Sequence, residues 1–217
     1  MTDVTVSLVV GLVLATVLAL ATPLILRALP PPEDAALGWS YATACTGWFA
    51  PIVGVTSGIT LVGALCRAPP GARPAWAVLA TLGVLLAGID ARTGYLPKRL
   101  CWVAIALAAV AVGVGATVTG DWTMPVTSAA AGALGWAILL LVWRLSRSLG
   151  FGDVRLAGLV GLVAGTIGVT QALGGIAVGA VLAAVAGVVR AFVTRRAASY
   201  PFGPFLVAGP FVVLMLC

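Results

Sequence analysis

The run Ala75-Trp-Ala-Val-Leu-Ala-Thr-Leu-Gly-Val-Leu-Leu-Ala-Gly-Ile-Asp90 is apolar almost throughout, closes on a carboxylate, and passes directly into Ala91-Arg-Thr-Gly-Tyr-Leu-Pro-Lys-Arg99. Its Ala, Leu, Val and Gly are continuous, whereas a membrane β-strand alternates apolar and polar positions, so the run reads as a membrane helix. Seven further runs of this kind lie at 4–27, 42–66, 100–119, 125–143, 154–170, 172–193 and 203–217. The expected fold is therefore all-α: a polytopic transmembrane helical bundle of about eight helices. Composition agrees, with 62% hydrophobic and 8% charged residues, no His and a mean hydropathy of +1.18. The stretch 156–189 carries no charge. We read it as two short helices turning near Gly168, Thr170, Gln171, Gly174 and Gly175; one long tilted helix is the rival.

The same composition excludes several functions. A net charge of +6 invites a nucleic-acid partner, but the cations come in small groups between apolar runs, as membrane orientation requires, so no nucleic acid is expected and lipid is the surrounding medium. Cys45, Cys66, Cys101 and Cys217 have no CxxC spacing, and with no His there is no zinc site to build. No metal or cofactor is expected, and Ser-His-Asp chemistry is ruled out. The first run follows Met1-Thr-Asp without a positive leader region and reads as an uncleaved anchor. Trp39, Trp76, Trp102, Trp122 and Trp143 sit near segment ends, where an interfacial aromatic belt is expected. Gly161/Gly165 and Gly175/Gly179 have the spacing of close helix contacts.

Asp90 and Asp153 stand apart from the other acids. Asp3, Glu33, Asp34 and Asp121 fall in polar stretches and read as surface charges, whereas these two sit at the edges of apolar runs. A carboxylate at a helix centre in lipid costs roughly 2.5–3.5 kcal/mol, so one kept at the membrane marks a functional position. Segments four and five run out and back between them, which returns Asp153 to the membrane face and depth of Asp90. On the positive-inside rule that face is cytoplasmic: it collects Arg92, Lys98, Arg99, Arg144, Arg147, Arg155, Arg190, Arg195 and Arg196. The exception, Arg67 and Arg73 on the other side, leaves segment two as either a span or a re-entrant helix.

Two carboxylates at one depth hold a shared proton, because close like charges do not both ionise readily. The ionised member takes a proton from water while the protonated member donates to a carbonyl oxygen, which is the chemistry of an aspartic protease. Gly150 and Gly152 remove two Cβ atoms beside Asp153, so the backbone turns sharply and a substrate strand approaches closely. Pro97 restrains the loop after Asp90. A different class of function, a proton- or cation-coupled transporter with the two aspartates as relay, calls for an internal repeat and mid-membrane acids. Neither is visible.

Three motifs in order resemble the type IV prepilin peptidases, membrane aspartyl proteases of the GXGD type. They are Asp90-Ala-Arg-Thr-Gly-Tyr-Leu-Pro-Lys-Arg-Leu100, Gly150-Phe-Gly-Asp-Val-Arg-Leu156 and Pro201-Phe-Gly-Pro-Phe-Leu206. The presenilin branch shares GXGD but has Tyr-Asp where this chain has Ile89-Asp90, and its Pro-Ala-Leu element is missing. The resemblance implies a six-helix catalytic core at 75–217 after two membrane segments in 1–74. It implies Asp90 and Asp153 as catalytic pair, and Leu96, Pro97, Gly150, Gly152, Arg155, Phe202, Gly203 and Pro204 as residues shaping the site. Arg155 stands where the family has lysine. For Phe202-Gly-Pro-Phe205, packing against the pair and simple helix-start chemistry remain equally open. The implied substrate is a prepilin or pseudopilin-like protein, cut after a Gly before its hydrophobic stretch at the cytoplasmic face of a bacterial plasma membrane. Bifunctional relatives also methylate the new terminus and carry two CxxC pairs. This chain lacks those pairs, so methyl transfer is not expected.

Overall fold

The structure is a computed structural model that describes residues 2–31, 39–146, 149–194 and 201–216. Glu33, Asp34, Arg147, Arg195, Arg196 and Cys217, named above for charge or chemistry, lie outside these residues. Among the described residues the chain forms nine helices and no strand: α1 (Thr2–Ala28), α2 (Tyr41–Ala44), α3 (Phe49–Arg67), α4 (Arg73–Thr93), α5 (Lys98–Thr119), α6 (Thr123–Ser146), α7 (Phe151–Ala164), α8 (Val169–Thr194) and α9 (Gly203–Leu216). Six of them (α1, α3, α4, α5, α6 and α8) are long and apolar enough to cross a membrane. This is a multi-pass membrane protein.

The expected eight segments differ from this in informative ways. Segment two is broken. Ser40 caps α2 by accepting from the Thr43 N–H at 3.2 Å, Gly47 turns the chain with φ 68°, and the span proper begins at Phe49. The remaining 19-residue α3 is a full-length candidate span. The stretch 156–189 does divide, but the turn comes earlier than the polar residues indicated. Residues 165–168 form it, with Gly168 at φ 134°, while Thr170, Gln171, Gly174 and Gly175 belong to α8. Helices α7 and α9 have 14 residues each, about 21 Å at 1.5 Å per residue, short of a bilayer core of roughly 30 Å.

Small residues set the packing, because lipid supplies no hydrophobic drive between helices and close backbone contact must replace it. A Cβ on Gly165 would lie 2.7 Å from Ser128 Cα of α6, and one on Gly161 would run into the Ala131 carbonyl. Gly175 and Gly179 do the same for α8 against α9, at 2.9 Å from Pro210 Cα and 2.7 Å from the Phe205 carbonyl oxygen. Both glycine pairs thus seam helices together. Helix α1 reaches the bundle through α3, where a Cβ on Gly54 would meet Ala19 Cβ at 2.8 Å.

Helix α4 carries one turn of π-helix at Leu79–Gly83. The wider turn loosens the helical hydrogen-bond ladder, and the Ala80 carbonyl accepts from the Ser57 hydroxyl of α3 at 2.6 Å. At the head of the same helix Trp76 departs from the expected aromatic belt. It is fully buried, its indole N–H donates to Thr166 Oγ1 at 3.1 Å, and its ring meets Phe211 edge-on at 5.4 Å. An indole with both its apolar body and its N–H satisfied inside the bundle is a core residue, not an anchor. Trp102 and Trp122 are exposed, as a belt requires. Asp121 is exposed in the α5–α6 turn, where it accepts from the Thr123 N–H at 3.0 Å and hydroxyl at 2.6 Å. These bonds hold its carboxyl below the usual carboxylate range.

Candidate active site

Helix α4 ends because Gly94 takes a left-handed conformation, φ 68°, and its N–H returns to the Asp90 carbonyl at 2.8 Å. Thr93 braces the turn, its hydroxyl donating to the Ile89 carbonyl at 2.8 Å while its oxygen accepts the Tyr95 N–H at 3.1 Å. The chain then extends through Leu96 to Pro97, which stands at the N-cap of α5 with φ −65°. Helices α5 and α6 run out and back, and α7 opens at Phe151 with Asp153 in its first turn. Asp90 and Asp153 therefore meet at one end of the bundle. Both line a single cavity of about 570 Å³.

The two carboxyls are 5% and 7% exposed, and each is tied by one oxygen to a backbone N–H. Asp90 Oδ2 accepts from Gly203 at 2.9 Å; Asp153 Oδ2 accepts from Gly150 at 3.2 Å. The other oxygen of Asp153 is buried with no partner among the described residues, so its acceptor capacity is unspent there. Both carboxyls thus belong to the lining of one cavity, and the thiol of Cys101 in the first turn of α5 is buried. An arrangement of this kind suits proton exchange with a water and a carbonyl held between the carboxyls.

The residues expected to shape the site fall into three groups. Leu96, Gly150, Gly152 and Phe202 line the cavity with the aspartates. Within this group the glycines differ. A Cβ on Gly152 would sit 2.6 Å from Leu96 Cβ, so only glycine lets the α4–α5 loop press against the head of α7. Gly150 has φ −72° and room for a Cβ; what it supplies is its N–H. Gly203, Pro97 and Pro204 act from behind the wall. The Cβ that Gly203 lacks would lie 2.8 Å from Asp90 Oδ2, while Pro204 faces a separate apolar cleft between α3, α4 and α9. The Phe202–Phe205 motif opens α9 at Gly203, whose N–H donates to Asp90 Oδ2. Arg155 stands apart. Its guanidinium stacks over Phe151, 4.6 Å from the ring centroid, and lines a groove that shares no residue with the aspartate cavity.

Further residues, outside those expected to shape the site, also line the cavity. Arg92 and Arg190 both border the cavity, with Tyr95, Leu149 and Pro201. Arg92 was open to inference from its place two residues after Asp90; Arg190, at the far end of α8, had no local signal. Tyr95 is held from the N-terminal side by Trp39, ring to ring at 5.8 Å, and Trp39 packs in turn on the buried Tyr41 at 4.8 Å. The segment before α3 thus forms part of the surround of the site.

With known proteins the chain compares as follows. The sequence pattern of the type IV leader peptidase family matches residues 77–194, a span that holds Asp90, Leu96, Gly152 and Asp153 but stops short of Gly203. No curated protein matches the chain, and no solved structure does. More than half of the 217 residues fall within the match, and the chain belongs to the type IV leader peptidase family.

Proposed function

We propose that this protein is an aspartyl endopeptidase of the membrane, with Asp90 and Asp153 as its catalytic pair, and that it removes the leader of prepilin or pseudopilin-like precursors. The observation that carries the reading is the meeting of two buried carboxyls, from helices 63 residues apart in sequence (153 minus 90), in one cavity. One carboxylate takes a proton from water as the oxygen attacks the scissile carbonyl carbon. The other, protonated, donates to the carbonyl oxygen. Collapse of the tetrahedral intermediate returns a proton to the leaving nitrogen, and no covalent enzyme intermediate forms. The backbone N–H groups of Gly150 and Gly203 hold one oxygen of each acid, so the pair keeps its geometry through the exchange.

We take residues 75–217 as the catalytic core and 1–74 as an accessory pair of membrane segments whose Trp39 and Tyr41 brace the loop beside Asp90. The cationic end of the bundle, with Arg92, Lys98, Arg99 and Arg190, faces the cytoplasm of a bacterial plasma membrane. The reading is of a peptidase without methyl transfer, since the paired CxxC motifs of bifunctional relatives are missing from the sequence. A prepilin-like reporter incubated with membranes holding the protein tests it. The expected product is one new N-terminus, generated after a Gly immediately before the hydrophobic stretch, without methylation. An uncut reporter, or a cut elsewhere, would overturn the assignment.

A further inference from the structure

Arg155 has no task in the chemistry above, and its surroundings point to another. It sits half-buried one turn into α7, on a groove of about 300 Å³ between α5, α6 and α7. The rest of that groove is apolar, with Trp102, Ile105, Trp136 and Leu162 in its walls. The guanidinium lies face-on to Phe151 at 4.6 Å, and Phe151 meets Trp143 edge-on at 5.3 Å. Stacking of this kind covers the face of a guanidinium and leaves its in-plane N–H edge open. Among the described residues none accepts a hydrogen bond from Arg155 or pairs with its charge. The five N–H donors of Arg155 thus find no acceptor among the described residues, a condition that hydrocarbon penalises heavily.

Depth and direction narrow the occupant. Arg155 lies at the end of the bundle that carries Lys98 and Arg99 on α5, which is where a headgroup would sit. From there Gly158 and Leu162 follow on α7 at helical spacing, so the groove runs from the charged end toward the membrane interior. Gly158 is not demanded by packing, since a Cβ there would meet Trp136 Cβ at an ordinary 3.6 Å; its absence keeps the groove deep. We propose that this groove is a binding site for an anionic phospholipid, with the headgroup phosphate on the N–H edge of Arg155 and one acyl chain lying over Gly158 toward Leu162. The planar fork suits two oxygens of one phosphate, and basic pockets between membrane helices favour anionic over zwitterionic headgroups. The site is separate from the aspartate cavity and does not depend on the proteolytic reading.

The test is native mass spectrometry of the full chain in detergent, titrated with phosphatidylglycerol and with phosphatidylcholine of the same acyl chains. Wild type and Arg27→Gln, which removes an exposed cation on α1, are expected to retain one phosphatidylglycerol equally. Arg155→Gln is expected to weaken that retention by roughly tenfold or more, the loss of a charge-assisted contact. Ala133→Leu, which fills the groove from the exposed face of α6 and leaves Arg155 in place, is expected to weaken it as well. Phosphatidylcholine should bind roughly tenfold less tightly, and glycerol phosphate, an anion without chains, should displace nothing at the same concentration. Wild-type retention by both Arg155→Gln and Ala133→Leu would overturn the proposal. So would equal binding of the two lipids, or full displacement by glycerol phosphate.

Discussion

Gly203→Ala is a one-methyl probe of the account. In the structure the added Cβ would stand 2.8 Å from Asp90 Oδ2 and 3.2 Å from both Asp90 Cβ and Cγ. The oxygen alone could swing away, but Cβ is fixed to α4, so the whole carboxyl must move and its 2.9 Å bond from the Gly203 N–H is lost. A hydrogen bond to a charged group contributes about 1.5–3 kcal/mol, and about 1.4 kcal/mol is a tenfold change in rate. The expected fall in kcat/KM on a prepilin-like reporter is therefore roughly 10- to 100-fold. Stability should fall by no more than an overpacking cost of about 1–3 kcal/mol. The assay pairs reporter cleavage with thermal unfolding in the same detergent. Wild-type cleavage by a folded Gly203→Ala protein would refute the claim that α9 holds Asp90 in its working position.

Three further outcomes follow from the packing. Gly152→Ala should cost about 1–3 kcal/mol of stability by overpacking and lower cleavage; because the clash is with Leu96 Cβ itself, Leu96→Gly should relieve it and Leu96→Ala should not, as paired melts and cleavage rates will tell. Thr166→Val strands the buried indole N–H of Trp76 and should destabilise by about 1–3 kcal/mol, where an interfacial Trp76 would show almost no change in unfolding midpoint. In a Cys217→Ser background, an impermeant maleimide should label Cys66 from the side opposite the aspartates, since Cys66 is exposed in the last turn of α3 while Cys45 and Cys101 are buried; labelling only from the aspartate side would invert the orientation.

The sequence carried the architecture because membrane helices announce themselves locally: an apolar run needs no partner to be recognised. Parity alone put Asp90 and Asp153 at one end of the bundle, and the structure has both on one cavity wall. Long-range effects were hidden. Nothing near Trp76 tells that Thr166, ninety residues on, will accept its N–H, so proximity to a segment end read as interfacial. Gly203 was marked by motif, but its part in holding a carboxyl from α4 appears only when α9 is packed. Arg155 shows the reverse limit: two residues from Asp153 in sequence, it lines another groove, because positions two apart on a helix do not share a face.

The central claim is that Asp90 and Asp153 work as one catalytic unit. Its most direct test is cleavage of a prepilin-like reporter in membranes by wild type, Asp90→Asn and Asp153→Asn at equal expression. Asparagine keeps the shape and still accepts from the Gly203 and Gly150 N–H groups, so the fold is preserved while proton transfer is lost. The account predicts processing by wild type and none by either variant; undiminished processing by either one would contradict it.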